Sequence, residues 1–324
     1  MKILWLSENP AEGKMPRNMD QMRTDFAWFV ASDGYHSHIG NLPKIPNNSY
    51  DIVIIILPKN EQILLQISTY QGFDLIGQMR RVAKKIGWMQ EGPVDYFQDY
   101  QVMIQTWWFS VLNEMDFLMV HNESDKKYIN GMFWNPVFVN RSLMIEDAID
   151  KENLKFDDKK DIIVGGNFCK WYGGFTSYLI STLFEKSIYI PSMGRKPKDE
   201  EGMGGLNHLP YMSWKEWITR LSGFKYAVHL MPTHAAGTFA LNCSYLKIPC
   251  IGYKELDTQR ILHPNLSVGI NDVASAKELA LKLKNDEKFY QQCSEETHQL
   301  YQENYTEDIW KKNFFTFMEL IYNK

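Results

Sequence analysis

No stretch of this 324-residue chain approaches the roughly 20 consecutive apolar residues of a membrane-spanning helix. The apolar run nearest the amino terminus, Ile3–Leu6, is also far shorter than a signal peptide's core, so a cytoplasmic location is expected. Cysteine is scarce. Cys169, Cys243, Cys250 and Cys293 stand at spacings that match no zinc or redox motif, which leaves reduced, structural thiols as the expectation. Pro-rich and Gly/Ser-rich tracts are missing, and with 44% hydrophobic and 23% charged residues the chain reads as a folded globule, not a disordered one. There is no excess of basic charge either: 35 Lys and Arg against 39 Asp and Glu give −4, and hence no global field for a polyanion. Basic character is only local, in Arg80–Arg81–Val82–Ala83–Lys84–Lys85, Lys159–Lys160 and Arg195 with Lys198, and for the first of these a solvated helix face is the better account. Finally, no Asp-x-Asp sits at a strand end and no His/carboxylate cluster has ligand spacing, so no metal site is expected.

What the chain does have is alternation. Strands are expected at Lys2–Ser7, His36–Ile39, Asp51–Leu57, Lys85–Met89 and Phe117–His121, with helices near Met19–Ser32, Tyr70–Lys84 and Gln101–Asn113 between them. Residues 141–161 turn charged and read as a linker. The pattern then restarts with strand Asp161–Val164, the loop Gly165–Gly166–Asn167, helix Gly174–Glu185, strand Ile188–Ile190 and helix Trp214–Ser222. Length and alternation together predict an α/β protein of two doubly wound Rossmann-like domains facing a cleft, residues 1–145 and 146–304. The last helix, with Trp310, Phe314, Phe315, Phe317 and Ile321 on a wide apolar stripe, is expected to pack residues 305–324 back on the first domain.

The most telling segment is Lys225–Tyr253, KYAVHLMPTHAAGTFALNCSYLKIPCIGY. The apolar run Tyr226–Met231 is a buried strand bounded by Pro232, Ala236–Gly237–Thr238 opens a helix through about Lys247, and Pro249–Tyr253 is the next strand. Unpaired amides at such a helix start lie at the carboxyl edge of a parallel sheet, where open α/β folds receive anions. A nucleoside diphosphate is the natural ligand.

Two doubly wound halves, the restart at VGGNF and this late segment together resemble the GT-B glycosyltransferases. Many retaining members carry Glu-x7-Glu at this place. Here the two acidic slots hold His234 and Asn242, while Gly237 keeps the family's glycine. The resemblance implies an acceptor-side first domain, a nucleotide-sugar-binding second domain and a UDP-sugar as donor substrate, with no separate cofactor. It puts Asn242 on a ribose hydroxyl and His234 on a phosphate or the sugar, and both residues serve equally as loop and helix caps. A closer likeness is to the phage β-glucosyltransferases that modify hydroxymethylated bases in DNA, carried by DIIVGGNF, KELDTQRI and the carboxylate in KKIGWMQEG. For a phage-encoded chain the location would be the host cytoplasm.

Glycosyl transfer has two jobs: to hold the charge growing on the leaving diphosphate, and to take the proton from the attacking hydroxyl. For the first, the candidates are the amides at Gly237–Thr238, the Thr238 hydroxyl, Gly166 and Asn167 in the VGGNF loop, Lys170 near it, and Arg260. Metal independence follows as an expectation. For the second, Glu91 follows strand Lys85–Met89 and corresponds to the catalytic carboxylate of the phage enzymes, with Asp95, Asp99 and His121 in reserve. Glu255 and Asp257 follow Tyr253, where carboxylates can read vicinal sugar hydroxyls, or Asp257 can simply cap a short helix through Leu262. The expected activity is hexose transfer from a nucleoside diphosphate sugar to a hydroxyl, with a 5-hydroxymethylpyrimidine in phage DNA as acceptor. Transfer to a cell-surface glycan, a non-catalytic nucleotide-sugar binder and a sugar-nucleotide epimerase are the alternatives.

Overall fold

The computed structural model describes residues 1–22, 24–58, 61–69, 74–94, 96–156, 159–192 and 199–324. In chain order its elements begin with β1 (Ile3–Ser7), β2 (Gly13–Lys14), α1 (Thr24–Ala31), β3 (Tyr35–His38), β4 (Tyr50–Ile56), α2 (Glu61–Thr69), α3 (Leu75–Val82), β5 (Ala83–Met89), α4 (Val102–Glu114), β6 (Phe117–Val120), α5 (Glu123–Asn130) and β7 (Val137–Val139). They continue with β8 (Lys160–Val164), α6 (Gly174–Ser181), β9 (Ile188–Ser192), β10 (Leu206–Tyr211), α7 (Trp214–Leu221), β11 (Phe224–His229), α8 (Thr238–Tyr245), β12 (Cys250–Tyr253), α9 (Asp257–Leu262), β13 (Ser267–Val268), α10 (Val273–Asn285), α11 (Glu287–Asn304) and α12 (Glu307–Asn323). The chain divides into two units, one of Met1–Arg17, Asp25–Arg141 and Glu307–Lys324, the other of Asn18–Thr24 and Ser142–Thr306.

The first unit is built on a seven-stranded sheet in the order β2-β3-β1-β4-β5-β6-β7. All its pairings are parallel except the short β2–β3 ladder. Residues Ile52–Ile56 of β4 are all buried, as a strand covered on both faces requires. From β1 the chain first turns to β3 on one side and then to β4 on the other, so the strand order switches beside β1. Helix α12 belongs to this unit through its aromatic face: Phe314 stacks on Trp310 at 4.5 Å and on Trp5 at 6.0 Å. Trp310 Nε1 donates to Asn140 Oδ1 at 3.0 Å, and Arg17 grips Glu307 with two bonds of 2.7 and 2.9 Å.

The second unit carries a six-stranded parallel sheet in the order β10-β9-β8-β11-β12-β13. Its core gathers Ile162, Val164, Phe184, Tyr226, Val228 and Ile251. The order switches between β8 and β11, and a crevice at the carboxyl ends of those two strands is where such a sheet receives a ligand.

Three expectations change. The charged linker is not simply solvated: Leu143, Met144, Ile145, Ala148 and Ile149 are buried, because its apolar residues pack into the second unit while its charges face out. The first long helix begins only at Thr24, since the residues before it are held elsewhere, Lys215 donating to the carbonyls of Asp20 and Asn18. The basic run from Arg80 is not one helix face. α3 stops at Val82 and Lys84 and Lys85 lie in β5, while Arg80 pairs with Asp116 and Arg81 donates to the carbonyls of Leu42 and Ile45. Arg195 and Lys198 lie outside the described residues, as does Tyr70. No described helix is long and apolar enough to cross a membrane.

Candidate functional site

At the switch point of the second sheet, β8 runs into Gly165 and Gly166 and β11 ends at His229. Backbone and imidazole touch there: a Cβ on Gly165 would lie 2.5 Å from His229 Cγ, so only glycine fits. The His229 ring stacks with Tyr172 at 6.4 Å and meets the edge of Phe239 at 5.0 Å. Burial pushes its pKa down to about 4, so the imidazole is neutral at physiological pH.

Beyond β11 the chain reaches α8 through Gly237, the helix N-cap, whose φ of 71° is left-handed. No side chain caps the helix. The first amides of such a helix therefore keep their donor capacity for a ligand, and the helix dipole adds positive potential. Gly237 has a double constraint, because a Cβ would also stand 2.5 Å from Thr258 Cβ. Gly237→Ala is therefore expected to cost roughly 1–3 kcal/mol of stability. Urea unfolding measures this, and a change under about 0.5 kcal/mol would contradict the strain.

The other predicted donor residues differ in setting. Thr238 Oγ1 is 2.8 Å from Thr24 Oγ1 and 3.3 Å from Ser142 Oγ, so its hydroxyl already has partners. Asn242 is only 2% exposed, on a helix whose residues from Phe239 to Tyr245 are all buried. The structure thus packs into the interior the amide that the resemblance puts on a ribose. His234 and Asn167 are half-buried, and Lys170 is exposed on a short turn before α6. Arg260 pairs with Asp257 at 2.8 Å on α9, and Asp257 is buried, so the two acids after Tyr253 divide: Asp257 has a cation beside it, and among the described residues Glu255 is in no ion pair.

In the first unit, the carboxyl ends of the neighbouring strands β5 and β6 bring together two of the four residues expected to handle protons. Glu91 Oε2 lies 2.8 Å from His121 Nε2, with the imidazole side chain 1% and the carboxylate 21% exposed. Trp28 flanks His121 at 5.7 Å between ring centres and donates its own N–H to the Arg141 carbonyl. Gln90 anchors the loop start: its Oε1 accepts from Trp88 and Trp108 at 3.0 and 3.2 Å, and its backbone N–H donates to Met119. A buried, fixed imidazole thus holds a carboxylate that keeps one edge to solvent. Asp99 is exposed on the turn Tyr96–Asp99, and Asp95 lies outside the described residues. Helix α5 begins at Glu123 with Asn122 in the N-cap position, and Asp125 is buried, accepting from Asn122 Nδ2 at 2.7 Å.

Sequence reasoning missed His229, which hid inside a run read as apolar, and the pair Ser7–His36. Ser7 Oγ is 2.7 Å from His36 Nε2, and His36 Nδ1 donates to the Ala11 carbonyl at 2.7 Å, pinning the loop after β1. Among the described residues no group of three or more His, Cys, Asp or Glu is placed to hold a metal ion.

No protein-family model and no curated protein sequence matches the chain. Solved structures do match in fold. An alpha-glucosyltransferase in complex with UDP and a 13-mer DNA containing an HMU base superposes with a TM-score of 0.65 at 12% identity, over 99% of each chain. Sucrose-phosphate synthase from Thermosynechococcus elongatus gives 0.61 at 12% identity, over 85% of this chain and 74% of that one. TarM gives 0.62 at 10% identity and 88% of this chain, which spans only 57% of TarM's length. The protein has the GT-B fold of these glycosyltransferases.

Proposed function

We propose that the protein transfers a hexose from a nucleoside diphosphate sugar, UDP-glucose by preference, to a hydroxyl on a 5-hydroxymethylpyrimidine in phage DNA. The observation that carries this reading is the start of α8, an uncapped helix opened by a left-handed glycine beside the switch point of a parallel sheet. That arrangement suits a pyrophosphate leaving group, whose growing charge the helix amides stabilise as the glycosidic bond breaks. Lys170 adds a cation from the loop after β8, so the chemistry needs no divalent ion. Glu91 takes the proton of the attacking hydroxyl, and His121, donating from Nε2, keeps the carboxylate oriented. Similarity in fold to an alpha-glucosyltransferase bound to DNA, over nearly the whole of both chains, favours DNA as acceptor over a glycan.

The test is incubation of the purified chain with labelled nucleotide sugars and a panel of acceptors, hydroxymethylated DNA and glycans among them, with and without chelator. Label is expected on hydroxymethylated DNA, at a rate the chelator leaves unchanged. Transfer to glycans alone would reassign the acceptor, and donor binding without transfer or hydrolysis would make the protein a binder. The anomer of the product, read in the same assay, separates a single displacement with Glu91 as base from a retaining route.

A further inference from the structure

The loop that leads into α8 is held by a clamp of hydroxyls. The Ala236 carbonyl, one peptide before the helix N-cap, accepts from Ser142 Oγ at 2.7 Å and from Thr258 Oγ1 at 3.1 Å. Both donors are buried. Further hydroxyls stand behind them: Tyr305 donates to Thr258 Oγ1 at 3.4 Å, and Thr238 Oγ1 lies 3.3 Å from Ser142 Oγ and 2.8 Å from Thr24 Oγ1. All of these residues belong to the second unit, though they come from stretches far apart in the sequence.

A carbonyl oxygen has two lone pairs, and here each hydroxyl takes one. That fixes the peptide plane. Across a trans peptide the Ala236 carbonyl and the Gly237 N–H point in opposite directions, so an oxygen held by Ser142 and Thr258 turns the N–H away from them. Gly237 is buried, and among the described residues its N–H donates to no acceptor. A buried N–H without a partner is costly, and an anionic oxygen at the start of α8 supplies one. Glycine alone would not hold this arrangement. Turning the Ala236–Gly237 peptide over carries the Gly237 φ from 71° to negative values, and glycine adopts both about equally well. The reversed peptide would present a carbonyl oxygen to a phosphate, and two hydrogen bonds on that carbonyl oppose the reversal.

We propose that Ser142 and Thr258 are positioning residues for the leaving group: they hold the Ala236–Gly237 peptide with its N–H toward the diphosphate, and so decide whether the start of α8 attracts an anion or repels it. The assignment rests on the nucleotide-sugar reading, in which α8 holds the diphosphate. It adds two residues that act through a carbonyl and not by contact with the ligand.

Two readouts on the full chain test it. Titration calorimetry of the wild-type protein with UDP, ADP and GDP should show binding of at least one, and at saturation the NMR signal of the Gly237 amide proton should move downfield as it takes up a hydrogen bond. In Ser142→Ala/Thr258→Val the affinity for that diphosphate should fall at least about tenfold and the Gly237 signal should no longer move, with the unfolding midpoint showing an intact fold. Thr258→Val alone should weaken binding at least about threefold, and Thr258→Ser, which returns the hydroxyl, should restore it. That pair gives the answer if the double variant does not fold. A Gly237 signal that ignores bound diphosphate in the wild-type protein overturns the assignment and leaves the nucleotide-sugar reading standing. So does a double variant that binds within about threefold of wild type. If none of the three diphosphates binds the wild-type protein, the assignment and the reading beneath it fall together.

Discussion

Glu91→Gln is expected to lower turnover at least about 100-fold while leaving nucleotide affinity unchanged, as loss of a general base does. Glutamine keeps the shape of the side chain and can still accept the hydrogen bond that His121 donates, so the loop after β5 stays in place. What it cannot do is take a proton. The loss should therefore fall on the chemical step, visible as a lower kcat at unchanged KM for the donor, with unfolding of the variant matching wild type. A rate within about threefold of wild type would show that Glu91 is not the base. The role would then pass to His121, Asp99 or Asp95.

The second large effect is on stability. His229 and His263 are both buried, and burial pushes the pKa of each down to about 4. For His263 the bond from Nε2 to the Ala240 carbonyl at 3.0 Å offsets part of the burial, while Nδ1 accepts from the Cys250 N–H at 3.4 Å, as only the neutral ring can. In the unfolded chain each imidazole titrates near 6.5. Between pH 6.5 and 4 the unfolded chain thus binds protons that the fold refuses, and acid draws the equilibrium toward unfolding. Above pH 6.5 both states are neutral and the effect disappears. Urea unfolding followed from pH 7 to pH 4 should show stability falling by roughly 5 kcal/mol from these two groups together. The depressed pKa of His36, which burial lowers and the Ala11 carbonyl partly restores, acts in the same direction. Stability that stays level across this window would mean that the imidazoles are solvated or charged in the fold.

Much of the architecture was legible because parallel strands covered on both faces become continuous apolar runs, as in Ile52–Ile56 and Ile162–Val164. Edge strands do not. β10, with the sequence LNHLPY, is half exposed and contains Pro210, and nothing in its pattern distinguishes it from a loop. The same physics concealed His229. A single imidazole among Tyr226, Ala227, Val228, Leu230 and Met231 keeps the run apolar, and its contact with Gly165 depends on β11 lying beside β8, two elements far apart in sequence. Glu91 and His121 were each visible as polar residues after a strand, but their pairing follows from β5 lying next to β6. The glycine at the start of α8 was readable because a left-handed residue is a local requirement. The burial of Asn242 was not, since it depends on elements that pack on α8 from elsewhere in the chain, α9 and α11 among them.

The most direct measurement is amide hydrogen exchange with and without UDP. Bound pyrophosphate should slow exchange at the first amides of α8, those of Thr238, Phe239 and Ala240, while helices such as α10 remain unchanged. Saturation with UDP that leaves those three amides exchanging at their free rates would contradict the claim that this helix start holds the diphosphate.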